Sequence, residues 1–370
     1  MNSHCEPKIR ELKRHELRWE RQRHRKCELD VNRAGLGEML QEVQDVENIS
    51  TQEIKGIASR IKRRKHADSK DLLKLSYGFQ QSAENISEFI RITGSINVIV
   101  KEFTGLDSEL QQLAAECLCN LSLGNEVCCE KVAMFAGTYL ITFMETINNG
   151  RLANTCVWTL QNVISSGAKA TKVLHSQGVV AKFCHLLRAI RNDEQLLEEV
   201  LLALDMILDY GLLFIRQETI FVDILPAATS NKPSLNNIKL IYKSLFLTNF
   251  EILDFNALHK LVDSCTGYFK IALEANKSAE IIYAIRIIGN LVAKNDESFC
   301  GTFLDACRQN NVTFHMLFNF HSNAEHIGIC RELFWLFGNV HKTANQQHMQ
   351  SYLMHDNFIE NLVVPKAMLS

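Results

Sequence analysis

"CVWTLQNVISSG" (Cys156–Gly167) places an indole and a carboxamide, Trp158 and Asn162, four residues apart in an otherwise apolar run. That spacing puts both side chains on one face of an α-helix. A helix core accepts the indole readily but not the amide, which needs hydrogen-bond partners when buried. The stretch decides the fold because it recurs. It aligns with "AECLCNLSLGN" (115–125), "VLLALDMILDYG" (200–211), "YKSLFLTNFEIL" (242–253), "YAIRIIGNLVAKND" (283–296) and "CRELFWLFGNVHK" (330–342). One polar residue returns at Asn120, Asn162, Asp205, Asn249, Asn290 and Asn339, in steps of 42, 43, 44, 41 and 49 residues. Two positions before each stands an apolar residue or alanine, and directly after each stands another apolar residue.

A second marker keeps the same register. Gly94, Gly137 and Gly178 precede the first three polar positions by 26, 25 and 27 residues. A glycine there predicts a tight turn between a short first helix and a longer second one. The repeating unit is then three helices, the third carrying the polar residue. Its length is that of an α-solenoid repeat of armadillo or HEAT type.

Composition agrees with an all-α reading. Of 370 residues 46% are apolar, and only Pro7, Pro226, Pro233 and Pro365 break the chain, so long helix-permitting stretches remain. The twelve cysteines are scattered apart from Cys117, Cys119, Cys128 and Cys129, whose spacing lacks the paired CxxC of a zinc site. They read as reduced, small apolar residues inside helices, which implies a cytosolic or nuclear protein. The N-terminus has no secretory apolar region, and no apolar run reaches the ~18 residues of a membrane span. "LLALDMILDYGLLFI" (201–215) is interrupted by Asp205 and Asp209.

The net charge of −2 is unevenly spread: residues 1–70 hold 17 Lys/Arg against 12 Asp/Glu, and the remainder 23 against 30. A basic arm on an acidic body predicts basic partners for the body, its own arm included.

"LQQLAAECLCNLSLGN" (110–125), "NTCVWTLQNVISSG" (154–167), "AIRIIGNLVAKND" (284–296) and "CRELFWLFGNVHKTA" (330–344) together resemble the armadillo repeats of importin-α, the nuclear import adaptor, over roughly residues 72–365. In that family the third helices line a concave groove that binds nuclear localisation signals in extended form, with Trp and Asn repeated four residues apart. The physics of the pair is direct. An Asn amide offers a donor and an acceptor to an extended backbone. Indole ridges leave slots for the stems of Lys or Arg and offer cation–π contact.

The resemblance implies a peptide groove of Trp158, Asn162, Trp335 and Asn339, where the full pair survives, with Asn120, Asn249 and Asn290 keeping only the amide. Arg286 matches a family arginine four residues before Asn290, and at Leu201/Asp205 neither member remains. Two complete pairs never fall in adjacent repeats. An alternative holds that the asparagines and tryptophans are packing residues of the ladder.

Residues 1–33 hold ten Lys/Arg and six acids. This arm resembles the importin-β-binding segment of the same family, which implies contacts through Arg10, Lys13, Arg14, Arg18, Arg21, Arg23, Arg25 and Lys26 with importin-β. The plain alternative is a solvated helix salt-bridged by Glu11, Glu16 and Glu20. In "RIKRRKH" (60–66), Lys62, Arg63, Arg64 and Lys65 form a cluster like a nuclear signal. It could occupy the chain's own groove, serve as the protein's own localisation signal, or be a solvated charge run. No aromatics interleave with the bases, so nucleic acid is not expected as a partner.

No G-x-x-x-x-G-K-[ST] loop, G-x-S-x-G elbow or paired-His motif occurs, so no enzyme activity, metal or cofactor is expected. The organisation expected is a basic helical arm over 1–35, a linker with the basic cluster over 36–70, and about six armadillo-like repeats over 71–370. The function expected is a monomeric importin-α-like adaptor of cytoplasm and nucleus. It would bind basic-signal cargo, dock to importin-β, and have no membrane contact. The alternative is an armadillo scaffold that binds an unrelated protein and has no import activity.

Overall fold

The computed structural model describes residues 48–145, 150–190, 193–210, 213–229, 234–247, 255–293, 297–310, 312 and 327–343. Among the described residues all regular structure is helical, the all-α solenoid class expected from the repeat. The chain divides into two compact units. The first takes residues up to Tyr139 together with Gln161–Thr171, and the second takes Leu140–Leu160 and everything from Lys172 onward.

The first unit's described part opens with α1 (Thr51–Arg64), which falls within the 36–70 stretch expected as a linker. Ser50 and Glu53 form a reciprocal capping box, each side chain accepting the other's backbone N–H. Ile54, Ile57, Ala58 and Ile61 fall on one face and are buried. A helix with such a cap and such a stripe packs rather than dangles. α2 (Ser69–Gln81), α3 (Ala83–Arg91), α4 (Ser95–Phe103) and α5 (Ser108–Leu121) follow. Asp68, Ser82 and Asp107 each accept a first-turn N–H, so these helices start where a polar cap stops the preceding segment. α2 packs along α5, the third helices of successive repeats lying side by side.

Gly94 and Gly178 behave as the sequence predicts. Each sits at a helix N-cap in the left-handed region, φ 88° and 83°, where a Cβ would be strained. Gly137 does not. It lies inside the unbroken α6 (Glu126–Phe143). Val132, Ala133, Ala136 and Leu140 of that helix are fully buried, and this continuous apolar face fuses the first two helices of the repeat into one.

α7 (Gly150–Ser166) carries the opening stretch and α8 (Ala168–Ser176) follows it. The second unit continues with α9 (Val179–Ala189) and α10 (Glu194–Leu208). A helical run, Gln217–Thr219, then passes through a π-helical turn at Ile220–Ile224 into Leu225–Thr229. α11 (Leu235–Leu247), α12 (Phe255–Glu274), α13 (Ser278–Val292), α14 (Glu297–Gln309) and α15 (Ile327–Thr343) complete it. α10, α11, α13 and α15 pack each on the next, again third helix on third helix. Phe183, Phe269 and Phe303 are fully buried, and burial of one such ring contributes about 2–3 kcal/mol.

Most of the described cysteines belong to the core: Cys117, Cys119, Cys128, Cys129, Cys156, Cys184, Cys265, Cys300 and Cys307 are buried. Burial pushes the Cys129 thiol up to about 11 and those of Cys184 and Cys265 up to about 12, so they stay neutral near pH 7. Among the described residues no group of three His, Cys, Asp or Glu could hold a metal, and no helix is long and apolar enough to cross a membrane.

Candidate functional site

The ladder asparagines face inward. Asn120 on α5 is buried, and its Nδ2 donates to Ser76 Oγ at 2.7 Å and to the Ser76 carbonyl at 3.3 Å on α2. Asn162 on α7 is also buried, donating to Ser122 Oγ at 3.1 Å and the Cys119 carbonyl at 3.4 Å. In the second unit Asn339 on α15 donates to the Gly289 carbonyl of α13 at 3.2 Å. Each amide thus reaches back to the preceding third helix or the residue that caps it, bonding Ser76, Cys119 and Ser122, or Gly289. The Nδ2 donors of Asn120 and Asn162, expected as a clamp for ligand, tie one repeat to the next. Asn290 on α13 is half-buried, and Asn249 lies outside the described residues.

The tryptophans stand differently. Trp158 is half-buried on α7, and its indole Nε1 has no hydrogen-bond partner. One turn earlier on the same face, the half-buried Asn154 leaves its Oδ1 without a partner too. A donor and an acceptor therefore stand four residues apart on one helix, both inward of the exposed parts of their side chains. An unmade hydrogen bond of this kind costs about 1–3 kcal/mol. Asn154 escapes sequence reasoning because the repeat alignment begins after it; the signal that finds it is the same four-residue step taken backwards from Trp158.

Trp335 is 39% exposed and lies on the backbone of α13, where Gly289 leaves room for it. Its neighbour Phe334 is 69% exposed. Arg286 does not offer a free cation. Its Nη2 and Nε donate to Glu332 Oε1 at 2.6 and 3.0 Å, and that bond holds the guanidinium's pKa above its ordinary value. Tyr242 and Tyr283 meet edge to face beside it, ring centroids 5.6 Å apart.

A feature with no counterpart in the sequence reading lies between α10 and α11. Lys243 Nζ is 2.7 Å from Asp205 Oδ1, 2.8 Å from Asp209 Oδ1 and 2.8 Å from the Asp205 carbonyl. The alignment treats Asp205 as a rung that has lost its asparagine. In three dimensions it is an acid held by the next repeat's lysine.

The basic cluster is helical. Lys62, Arg63 and Arg64 are exposed in the last turn of α1, and the N–H of Lys65, the left-handed cap, bonds the Ile61 and Lys62 carbonyls. Lys101 Nζ donates to the Lys65 carbonyl at 2.8 Å. Lying extended in a groove would require this turn to unwind. The arm residues Arg10, Lys13, Arg14, Arg18, Arg21, Arg23, Arg25 and Lys26 lie outside the described residues.

One ion-pair network in the second unit has a pH signature. Glu145 accepts from Lys182 at 2.6 Å and pairs with His185 at 2.7 Å. Burial alone would raise its pKa, but the hydrogen bonds and charges of Lys182 and His185 outweigh burial and leave it below the ordinary value of 4.5. A depressed carboxylate contributes stability above its unfolded pKa and loses it as pH falls through the folded one. Glu145→Gln is therefore expected to flatten the acid limb of a thermal-stability profile below about pH 4.5. An unchanged limb would show that the network contributes nothing measurable.

No family model matches the chain. Among solved structures it is similar to an engineered protein at 17% identity, covering 79% of this chain and 69% of that one, with a TM-score of 0.58. It also matches a designed armadillo repeat protein at 13% identity, covering 78% of this chain and 100% of that one, TM-score 0.41. A designed armadillo repeat protein in complex with the peptide (KR)4 matches at 16% identity over 78% and 99% of the two chains, TM-score 0.39. At 17% identity the likeness to the first of these is one of fold alone.

Proposed function

We propose that the chain is an armadillo-type scaffold that holds an extended protein segment against its third helices, with the Asn154–Trp158 face of α7 as anchor. The observation that carries this is the unpartnered indole N–H and carboxamide oxygen one turn apart. An extended backbone presents a carbonyl and an N–H at comparable spacing, so one peptide segment can satisfy both once the two side chains turn toward it. The part-exposed indole supplies apolar area for the segment's side chains.

A second reading, the importin-α-like adaptor, is favoured by the Trp/Asn spacing at 158/162 and 335/339 and by the basic arm. It adds basic-signal cargo in the same strip, importin-β on residues 1–35, and traffic between cytoplasm and nucleus. Against it stand Asp205, Asp209 and Glu332. These acids on or beside the second unit's third helices, which a basic signal would use, are taken by Lys243 and Arg286.

Titration of labelled peptides separates the readings. Trp158→Ala is expected to weaken the bound segment about tenfold, roughly 1.4 kcal/mol. Unchanged affinity would remove Trp158 from the site. The adaptor reading requires that an octapeptide of Lys and Arg outcompete a neutral extended peptide. It also requires that deletion of residues 1–35 abolish capture of importin-β. Equal binding of both peptides, with no importin-β capture by the full chain, leaves the scaffold alone.

A further inference from the structure

The end of α10 has the makings of a receptor for a primary ammonium group. Asp205 and Asp209 stand four apart and so share a helix face. Their Oδ1 atoms and the Asp205 carbonyl surround one point at 2.7, 2.8 and 2.8 Å. The carbonyl is available because the Asp209 N–H turns to Met206 at 3.2 Å, tightening the last turn. The negative end of the helix dipole adds to both carboxylates. An ammonium has three donors on a compact centre and matches three acceptors, whereas a planar guanidinium presents its donors in a fork. The site is open on one side: the Asp209 side chain is 39% exposed.

Lys243 of the following third helix fills this point. We propose that the α10 C-terminus is a lysine-receiving site which the chain plugs with its own Lys243, so that the strip rejects a basic side chain at this repeat. Lys243 thereby determines specificity: with it in place the second unit's strip takes segments that bring no lysine here, and without it a lysine of a bound segment enters. The biological use of the site rests on the third helices being ligand-facing; the site itself rests only on the geometry around Nζ.

Chemical rescue tests the site without any peptide. Lys243→Ala leaves two carboxylates facing each other, and its unfolding midpoint is expected to fall by several degrees. n-Propylammonium, which replaces the lost three-carbon stem and ammonium, should restore at least half of that fall at tens of millimolar. Tetramethylammonium at equal ionic strength, a cation with no donors, should not. Equal recovery with both salts, or no fall at all, overturns the proposal. Lys243→Arg keeps the charge and guards against a misfolded alanine variant. It should lie below the parent midpoint, and a midpoint equal to the parent's would refute the three-acceptor geometry.

A lysine octapeptide tests the plug. Lys243→Ala should bind it about tenfold more tightly than the parent, and adding Asp205→Asn and Asp209→Asn should cancel the gain. Rescue by propylammonium without tighter peptide binding would retain the receptor and refute the plug. The Trp158→Ala titration reports separately on the ligand-facing strip, so the two failures are told apart.

Discussion

Arg60→Ala is expected to destabilise the first unit by about 2–3 kcal/mol, an unusually large loss for a residue on the rim of the fold. Its guanidinium pairs with Oδ1 of Asp71, a carboxylate that is 3% exposed and whose Oδ2 has no partner. Removing the arginine strands that charge under α1 and α2. Breaking a buried pair from one side costs about 3–5 kcal/mol. The figure is discounted because the Arg60 side chain is 38% exposed and water can enter where it stood. Asp71 also lies in the first turn of α2, where the helix N-terminus steadies a negative charge. Asp71→Asn, which removes the charge rather than its partner, should cost less. Denaturant unfolding of both variants checks the order, and Arg60→Ala within 0.5 kcal/mol of the parent would mean that Asp71 is solvated.

Gly289→Ala is the second large effect. A Cβ at Gly289 would stand 2.3, 2.8 and 3.0 Å from Cζ3, Cη2 and Cε3 of Trp335, the first two closer than such contacts come. Alanine gains about 1 kcal/mol over glycine in a helix interior, while overpacking a ring costs about 1–3 kcal/mol. The contact wins because what yields is a whole indole. That indole belongs to α15, whose Asn339 bonds the Gly289 carbonyl. The expected net loss is about 1–2 kcal/mol, with a red shift of Trp335 emission as the ring leaves the helix surface. In the Trp335→Ala background the same substitution should be neutral or stabilising. Equal losses in both backgrounds would place the strain elsewhere.

Much of this fold is written in the sequence. The recurrent polar residue locates the third helices, and Gly94 and Gly178 mark turns because only a left-handed N-cap needs a residue without Cβ there. Gly137 carries the same letter without that backbone requirement, and a sequence cannot tell the two uses apart. α1 was legible: Ile54, Ile57, Ala58 and Ile61 follow a helical stripe behind a Ser-x-x-Glu box, but the neighbouring charges draw the eye to a linker. The candidate site was legible in position and not in orientation. Spacing puts Asn162 on the face of Trp158; it does not say that the amide turns to Ser122 while the indole N–H is left without a partner. The Lys243–Asp205 contact joins residues 38 positions apart on different helices, and no period within one repeat announces it.

A ligand seated on the Asn154–Trp158 face of α7 would meet the indole N–H of Trp158. The most direct measurement is the indole ¹⁵N–¹H resonance of Trp158, assigned by its loss in Trp158→Phe, followed while an extended peptide is added to saturation. That resonance is expected to move progressively downfield in the proton dimension as its unpartnered N–H acquires a carbonyl acceptor. A peptide that saturates the protein and leaves the Trp158 resonance where it was would contradict it.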